Sequence, residues 1–513
     1  MGRARGLGAL FASLVVAATV VSANGGATAA PSARAALDPA TVAESVRYLV
    51  DSYGVSEREA LRRLELQHEA VRLDGVLREE NAAEYGGMWL DQTSGELVVA
   101  MTDPAAADRH LEDLPDRAHV RTQAVRHSLA DLTAAKDRIA AKVGAGAEAV
   151  YLPAVNERDN EVVLWERSWV AQEKIAAAED QTVARERDAA RRAVADESGT
   201  SAVSTDTSAV PSASGTSDVS GVPVRTKVLP KPNPLADTYP DKGACHPLAC
   251  ENYKPMRGGL RLDMQRDDGT WGGCTSGFNL RSTGGGHPGK AWVLTAGHCM
   301  ATKTNNTPTR HNGVPVLQQH GIERNSYPYD YAALLYVDTP TRTTWLENHT
   351  GRNRVLKFCR NGGTDSNADT PCGVQETSAD EHITGTHKLT EVKAGWIVCA
   401  TGSGSNAVDD PKAIDSGAGE GYLVGTRCGR VLSTDVGINT DICARPGDSG
   451  GPLFSQVDHT ALGILEGNQQ SRHGACEPGE LNNYVPIDTI LTDIHNRYAS
   501  LRATFSVITT PNG

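Results

Sequence analysis

The sequence predicts an α+β N-terminal region followed by an all-β C-terminal region. Up to about residue 195, helix patterns alternate with hairpin patterns. Beyond about residue 240, short runs of Val, Leu and Ile alternate with Gly, Asn and Asp turns, which is typical of a β-sandwich or β-barrel. All 10 cysteines lie in this second part, so the two regions are built differently. A chain of 513 residues also exceeds what one hydrophobic core usually organises.

Residues 1–30 have the pattern of a secretory signal peptide. Arg3 and Arg5 precede an apolar stretch from Leu7 to Val21, and the small residues that follow end in Ala27-Thr28-Ala29. A membrane anchor is the alternative, but the stretch is short for a bilayer span and a cleavage-type sequence follows it. We therefore expect cleavage after Ala29 or Ala30, secretion, and no membrane anchor.

Residues 31–195 are predicted to form a domain of two related halves, each a helix pattern followed by a hairpin. In the first half, Gly54 ends one helix and Ser56 with Glu59 forms a capping box that starts the next. The helical and hairpin patterns of both halves fall at about 38–85, 87–101, 117–143 and 151–164, and a charged helix follows at about 168–195.

Residues 196–240 are predicted to be a linker. The segment is first rich in Ser, Thr, Ala and Gly and then rich in Pro, so it buries too little apolar surface to fold. Such segments are natural sites of proteolysis. Residues 241–513 then form the second domain, whose last element, Pro486 to Tyr498, is predicted to be a helix.

The charge and the cysteines limit the possible functions. A net charge of -13 argues against general nucleic-acid binding, which requires a basic face. An even number of cysteines in an exported chain indicates disulfides, and the spacings contain no paired Cys-x-x-Cys or Cys/His cluster for a metal. We expect neither a metal nor a cofactor.

The segment from Cys443 to Pro452, which reads CARPGDSGGP, carries the strongest chemical signal. A serine hydroxyl becomes an effective nucleophile only with a base within hydrogen-bond reach and donors for the oxyanion that forms. Ser449 is the predicted nucleophile, and the amides of Gly447 and Ser449 are the predicted oxyanion hole. The alternative is a Gly-rich turn with an incidental serine.

The base is predicted to be His298, which follows an apolar strand pattern and precedes Cys299. A buried carboxylate must hold the imidazole in one tautomer, and Asp330 opens the apolar run YAALL. Asp338 is the competitor, but it precedes Thr-Pro at a predicted strand end. The predicted triad is therefore His298, Asp330 and Ser449.

TAGHC around His298, the Asp330 strand and CARPGDSGGP, in the order His, Asp, Ser, resemble chymotrypsin-fold serine peptidases. The segment RGGLR at 257–261 and the spacing from Cys443 to Ser449 are similar to the secreted bacterial streptogrisin and α-lytic protease group. The segments GMWLD at 87–91 and ELVVAMTD at 96–103 resemble the pro-regions of that group.

This resemblance implies a catalytic domain of two antiparallel six-stranded β-barrels with the active site between them. It also implies that residues 31–195 are a pro-region that assists folding and inhibits the enzyme until it is removed, and that Asp448 pairs with an internal arginine, which the sequence does not identify.

The resemblance implies the disulfides Cys274–Cys299 and Cys443–Cys476 as well. Cys245 and Cys250 could close a local loop. For the remaining four cysteines, sequential pairing is one of three possibilities, and these are Cys359, Cys372, Cys399 and Cys428.

The specificity pocket is the weakest part of the pattern. Asp441 lies two residues before Cys443, at the position where trypsin-like enzymes hold a carboxylate at the pocket base. A carboxylate there favours Arg or Lys at the cleavage site of the substrate. The alternative is that Asp441 is an exposed loop residue. In the predicted pocket wall, which includes Gly467, Glu466 replaces the serine of the family pattern and Asn468 replaces its glycine.

The sequence as a whole predicts a secreted serine endopeptidase that is made as a pro-enzyme and acts on protein or peptide substrates. One alternative is a catalytically silent binding protein with a protease fold. Another is a protease whose N-terminal region is a permanently retained binding module. The N-terminus of the mature protein distinguishes a removed region from a retained one.

Overall fold

The first half of the N-terminal region places two helices against a small sheet. Gly54 ends the first helix with a left-handed φ of 65°, and the Ser56 side chain accepts a hydrogen bond from the Glu59 amide at the start of the second. The elements are α1 (Ala43–Tyr53), α2 (Glu57–Glu80), β1 (Tyr85–Asp91), β2 (Glu96–Met101), α3 (Asp108–Leu111) and β3 (Val120–Ala124). The sheet order is β1-β2-β3, with β3 parallel to β2.

The second half repeats this arrangement. Its elements are α4 (Leu129–Val143), β4 (Tyr151–Asn156), β5 (Glu161–Glu166), α5 (Ser168–Ala176), α6 (Asp180–Ser198) and β6 (Val224–Val228). The sheet order is β4-β5-β6, and β6 again lies parallel to β5. The predicted hairpins and the α+β class are therefore confirmed, and both halves end in a third, parallel strand.

Three details of the N-terminal region differ from the sequence analysis. Residues 117–143 were predicted to be helical throughout. The first part of this segment instead contains β3, which continues the sheet alongside β2. The predicted charged helix is two helices, separated where Ala178 has a φ of 61°. Within the predicted linker, β6 is ordered; backbone pairing with β5 stabilises it, although most of its side chains are exposed.

The C-terminal region is all-β with a terminal helix. Its first half contains a five-stranded sheet, β14-β15-β11-β10-β25, and a four-stranded sheet, β13-β12-β8-β9. These strands are β8 (Arg261–Gln265), β9 (Trp271–Thr275), β10 (Asn279–Thr283), β11 (Lys290–Thr295), β12 (Thr309–His311), β13 (Val314–Leu317), β14 (Ile322–Ser326), β15 (Tyr329–Leu335) and β25 (Thr504–Val507). Over the described residues, an isolated bridge between Leu317 and Tyr336 joins the two sheets into a half-barrel, whereas a closed barrel was expected.

The second half is a closed barrel of six strands, because β23 pairs with both β22 and β24. The remaining elements are β7 (Asn233–Pro234), α7 (Pro247–Cys250), β16 (Arg354–Val355), β17 (Glu381–His382), β18 (Gly385–Thr386), β19 (Ile397–Gly402), β20 (Gly425–Ser433), β21 (Ile438–Thr440), β22 (Pro452–Ser455), β23 (Thr460–Asn468), β24 (Asn482–Pro486) and α8 (Ile487–Arg497). The all-β fold of the chymotrypsin type is thus confirmed, and α8 matches the predicted terminal helix.

The N-terminal region packs against the closed barrel. Leu66 and Leu77 of α2 share one hydrophobic cluster with Trp396 and Val398. The Gln67 side chain also bonds both the amide and the carbonyl of Ile397, at 2.7 and 3.1 Å. The interface is therefore both apolar and specific in its hydrogen bonds.

The computed structural model describes residues 37–144, 146, 148–199, 221–234, 247–250, 255–300, 304–337, 353–357, 380–404, 425–469, 476 and 478–510. The predicted signal peptide, most of the predicted linker, Asp338, Cys245, Cys359 and Cys372 lie outside these residues. Within them, no helix combines the length and the apolar character that crossing a membrane requires.

Candidate active site

The candidate histidine and aspartate meet where β11 ends beside β15. His298 lies in a short 3₁₀ helix, Gly297–Met300, that follows β11. A side chain at Gly297 would come within 2.0 Å of the Arg324 carbonyl oxygen, so a glycine is needed for this approach. One Asp330 oxygen, Oδ1, accepts the backbone amide of His298 at 2.7 Å, and Oδ2 lies 2.5 Å from His298 Nδ1.

These contacts fix the tautomer of His298. An ionised carboxylate only accepts hydrogen bonds, so Nδ1 carries the proton and donates to Asp330. The other ring nitrogen, Nε2, lies 2.7 Å from the Ser449 hydroxyl oxygen and is then free to accept its proton. The structure thus brings His298, Asp330 and Ser449 together in the geometry of a base, its orienting group and a nucleophile.

The loop that carries Ser449 is held by hydrogen bonds from β9. The Thr275 amide donates to the Ser449 carbonyl at 2.7 Å, and the Thr275 hydroxyl donates to the Gly447 carbonyl, also at 2.7 Å. Gly447 has a φ of 98°, and a side chain at Gly450 would lie 2.2 Å from the Thr295 hydroxyl. Glycines at both positions therefore allow the sharp turn that exposes backbone amides near Ser449.

Two buried ion pairs brace this loop. Arg427 donates to Asp448 Oδ2 at 2.8 Å, and Arg445 donates to both oxygens of Glu480 at 2.8 Å. Asp448 also accepts the backbone amides of Gly404 and Arg445, at 2.8 and 2.9 Å. Arg427 is thus the internal partner of Asp448 that the sequence did not identify.

Three disulfides lie within the described residues. Cys274–Cys299 joins β9 to the histidine turn, Cys443–Cys476 anchors the nucleophile loop, and Cys399–Cys428 links β19 to β20. The first two are the pairs that the resemblance implies, and the third is part of the sequential pairing. Cys250 is disulfide-bonded as well.

The predicted pocket wall pairs with residues 233–234, which lie in the predicted linker. Gly467 pairs with Pro234 and Asn468 pairs with Asn233 in antiparallel fashion. The side-chain nitrogen of Asn233, Nδ2, donates a hydrogen bond to the Asn468 carbonyl at 3.2 Å. A side chain at Gly467 would come within 2.2 Å of the Asn233 carbonyl oxygen. The backbone of residues 233–234 therefore lies directly on β23. In this state of the chain, Ser449 is 0% exposed.

Asp441 lies in a different environment from the one expected at a pocket base. Its Oδ2 accepts the Tyr48 hydroxyl of α1 at 2.9 Å, and its Oδ1 accepts the Arg430 amide at 2.6 Å. Burial raises the pKa of Asp441, although the bonds from Arg430 and Tyr48 oppose that rise. Asp441 is therefore not an exposed loop residue. Among the described residues, no hydrogen bond or ion pair joins it to Glu466.

The chain has a chymotrypsin-type serine protease fold, preceded by an α+β N-terminal region. Residues 58–109 match the family model for the alpha-lytic protease pro N-terminal domain. Streptogrisin-D of Streptomyces griseus is 26% identical over 230 residues, which cover 44% of this chain and 45% of that protein. The predicted similarity to the streptogrisin and α-lytic protease group is therefore confirmed, and the match spans less than half the length of the curated relative.

Solved structures of such proteases are also similar to this chain. Protease A of Thermobifida fusca is 19% identical, with a TM-score of 0.28, and the match covers 50% of this chain and all (100%) of that one. Alpha-lytic protease homolog N4 is 20% identical, with a TM-score of 0.27, covering 49% and 99% of the two chains.

Proposed function

We propose that this chain is the precursor of a secreted serine endopeptidase. The observation that carries the proposal is the hydrogen-bonded series from Asp330 through His298 to Ser449, with distances of 2.5 and 2.7 Å. In the proposed reaction the Ser449 hydroxyl attacks a peptide carbonyl while His298 Nε2 takes its proton. The Gly447 and Ser449 amides stabilise the oxyanion, and losing one such donor typically costs about 100- to 1000-fold in turnover.

The second half of the reaction uses the same groups. The protonated His298 gives its proton to the leaving amine, which leaves an acyl group on Ser449. Water then attacks the acyl-enzyme with His298 again acting as the base. Asp330 remains ionised throughout and stabilises the imidazolium that forms in each step.

We also propose that the N-terminal region, residues 31–195, inhibits the enzyme and assists its folding. Residues 233–234 pair with β23 as an extended peptide would, and this supports the inhibitory role. The N-terminal region also shares a continuous hydrophobic cluster with the closed barrel. Residues 233–234 belong to the linker that follows this region, so only a cut beyond residue 234 would free the strand on which they lie.

A preference for Arg or Lys at the cleavage site remains a prediction, and the contacts of Asp441 weigh against it. Its carboxylate is engaged by Tyr48 and Arg430. The kcat/KM values for peptide substrates that differ only in Arg, Phe or Leu at the cleavage site test this preference. A basic preference that Asp441→Asn abolishes would support the role of Asp441.

Labelling with a fluorophosphonate probe tests the proposed chemistry. We expect the protein secreted from the full-length gene to be labelled, and the Ser449→Ala variant to remain unlabelled. A mature N-terminus between about 196 and 257 is expected if the N-terminal region is removed, and one near 30 indicates a retained module. Processed protein that takes up no probe would refute the enzyme assignment.

A further inference from the structure

A buried carboxyl group next to the nucleophile loop has no role in the reaction described above. It belongs to the residue after Leu465, whose backbone bonds Gly450 and Gly451 of that loop at 2.8 and 2.9 Å. Glu466 of β23 is 6% exposed, and its Oε2 atom has no hydrogen-bond partner among the described residues. Burying a carboxylate without donors is costly, whereas a neutral carboxylic acid is buried more easily. The surroundings of Glu466 therefore favour its protonated form.

The charged neighbours act in the same direction. Burial raises the pKa of Glu466 well above its usual range, the negative charge of Asp330 raises it further, and Lys231 opposes the rise. The Lys231 side chain is 55% exposed and lies 4.0 Å from Glu173, so it compensates little of the buried charge. Among the described residues, the buried phenol of Tyr327 also interacts electrostatically with Glu466.

The hydrogen bonds decide which of the two carboxyl groups holds a proton. Both oxygens of Asp330 accept N–H groups of His298, so each of them has a hydrogen-bond donor. Glu466 has no comparable donor for Oε2. The negative charge of Asp330 acts against ionisation of the buried Glu466, so the proton belongs on Glu466.

We propose that Glu466 is a positioning residue that stays protonated in the folded protein, so that Asp330 is the single negative charge of this carboxyl pair beside His298. The inference rests on the proposed function, because Glu466 acts through Asp330 and His298. An ionised Glu466 would repel Asp330 and stabilise the imidazolium, which would make His298 a base only at higher pH. A neutral Glu466 instead occupies its buried position without adding charge.

Infrared spectroscopy tests the protonation state without requiring activity. In the full-length Ser449→Ala protein at pH about 7, where a free glutamate is ionised, we expect a carbonyl band of a protonated carboxyl group. This band should lose intensity when Glu466→Gln is added. Two identical spectra in this region would overturn the proposal.

Thermal unfolding of the same two proteins gives a second measure. A carboxyl group whose pKa is raised by folding contributes most stability below its unfolded pKa of about 4.3, and that contribution is lost as the pH rises through the folded pKa. Glu466→Gln should therefore raise the unfolding midpoint at pH 7 and 8, with the difference vanishing near pH 4. The matched control is Glu480→Gln, which should lower the midpoint because it removes the partner of Arg445. An unchanged or lowered midpoint for Glu466→Gln at pH 7 would overturn the proposal.

Kinetics of the secreted protein test the positioning role. Glu466→Gln should leave the midpoint of the acidic limb in the pH profile of kcat/KM unchanged, because it preserves shape and neutrality. Glu466→Ala should lower kcat by at least about 10-fold with KM nearly unchanged, because a misplaced catalytic group can cost about 100-fold. A shift of the acidic limb in Glu466→Gln, or wild-type kcat in Glu466→Ala, would overturn the role.

The two proposals fail separately. If the wild-type protein neither hydrolyses peptides nor takes up the fluorophosphonate probe, the enzyme assignment is wrong. The infrared and unfolding measurements still decide whether Glu466 carries a proton.

Discussion

Arg427 and Asp448 form a buried ion pair beneath the nucleophile loop, with side-chain exposures of 7% and 1%. Asp448 therefore orders the loop only while Arg427 neutralises its charge. Removing one partner of a buried pair strands the other charge, whereas removing both charges together costs far less.

Replacing Arg427 by Met should destabilise the folded protein by about 3–5 kcal/mol, because Asp448 is then left buried and unpaired. The double variant Arg427→Met, Asp448→Asn should recover more than half of that loss. Urea unfolding of full-length Ser449→Ala proteins carrying these changes measures both effects. A single variant as stable as its parent would contradict the importance of the pair.

The candidate triad could be predicted from sequence because each member lies in a short local pattern. Ser449 lies among glycines that its turn requires, and His298 lies between an apolar strand and a cysteine. Arg427 has no such pattern, because its role arises from the antiparallel pairing of β19 and β20, which folding alone brings under the loop. The surroundings of Glu466 depend on burial and on Asp330 in the same way.

At the scale of elements, one lysine joins the N-terminal region to the closed barrel. Lys393 is 2% exposed and lies 3.0 Å from Asp74 of α2 and 3.1 Å from Glu157 in the turn between β4 and β5. Burial acts to raise the pKa of Asp74, but Lys393 and Arg78 outweigh it and lower that pKa below its usual value. The contact should therefore weaken as the pH falls through the lowered pKa of Asp74, at which the carboxyl becomes protonated.

Lys393→Met should destabilise the interface by about 3–5 kcal/mol, because Asp74 then lacks its partner from the barrel. Hydrogen exchange in full-length Ser449→Ala protein should be faster in α2 and in the hairpin of β4 and β5, with β10 and β11 unaffected. Partly exposed Lys136, which pairs with Asp137 within α4, provides the control Lys136→Met. Equal exchange in both variants would contradict this role of Lys393.

The elements show where sequence patterns were insufficient. The hairpins of the N-terminal region were predicted because their strands and turn are contiguous in sequence. The third strand of each sheet, β3 or β6, is parallel to its neighbour and reached by a long connection, so no local turn indicates it. Most side chains of β6 are exposed, and a strand held mainly by backbone bonds leaves little hydrophobic pattern.

At the scale of the whole molecule, the pH dependence of stability should reflect Asp435, which lies between β20 and β21. Burial raises the pKa of Asp435 to about 6, against the charge of Lys227, and the nearby Asp159 and Glu161 of the N-terminal region raise it further. Because its pKa is raised on folding, its contribution to stability is complete below about 3.9 and is lost as the pH rises to about 6.

Asp435→Asn should therefore make the full-length Ser449→Ala protein more stable at pH 7, by about 2–3 kcal/mol at most, and leave its stability unchanged near pH 4. Urea unfolding at several pH values measures the difference. A difference that is the same at every pH would show that Asp435 does not titrate in this range.

The last prediction concerns how the barrels form. Leu280 of β10 pairs with Val507 of β25, and the closed barrel forms only when β23 meets β24, so the fold depends on distant pairings. Such topologies fold slowly, because chain entropy is lost before the contacts form. The hydrophobic cluster shared by α2, Trp396 and Val398 offers the barrel a preformed surface that can stabilise its folding transition state.

A chain of residues 241–513 carrying Ser449→Ala should consequently refold at least about 10-fold more slowly than the full-length Ser449→Ala protein. Adding residues 31–234 as a separate chain should restore the rate, whereas the same chain with Leu66→Asp should restore much less of it, because a charge in the shared cluster prevents docking. Recovery of native near-UV circular dichroism after dilution from denaturant measures the rate. If residues 241–513 refold as fast as the full chain, the proposed folding role of the N-terminal region is wrong.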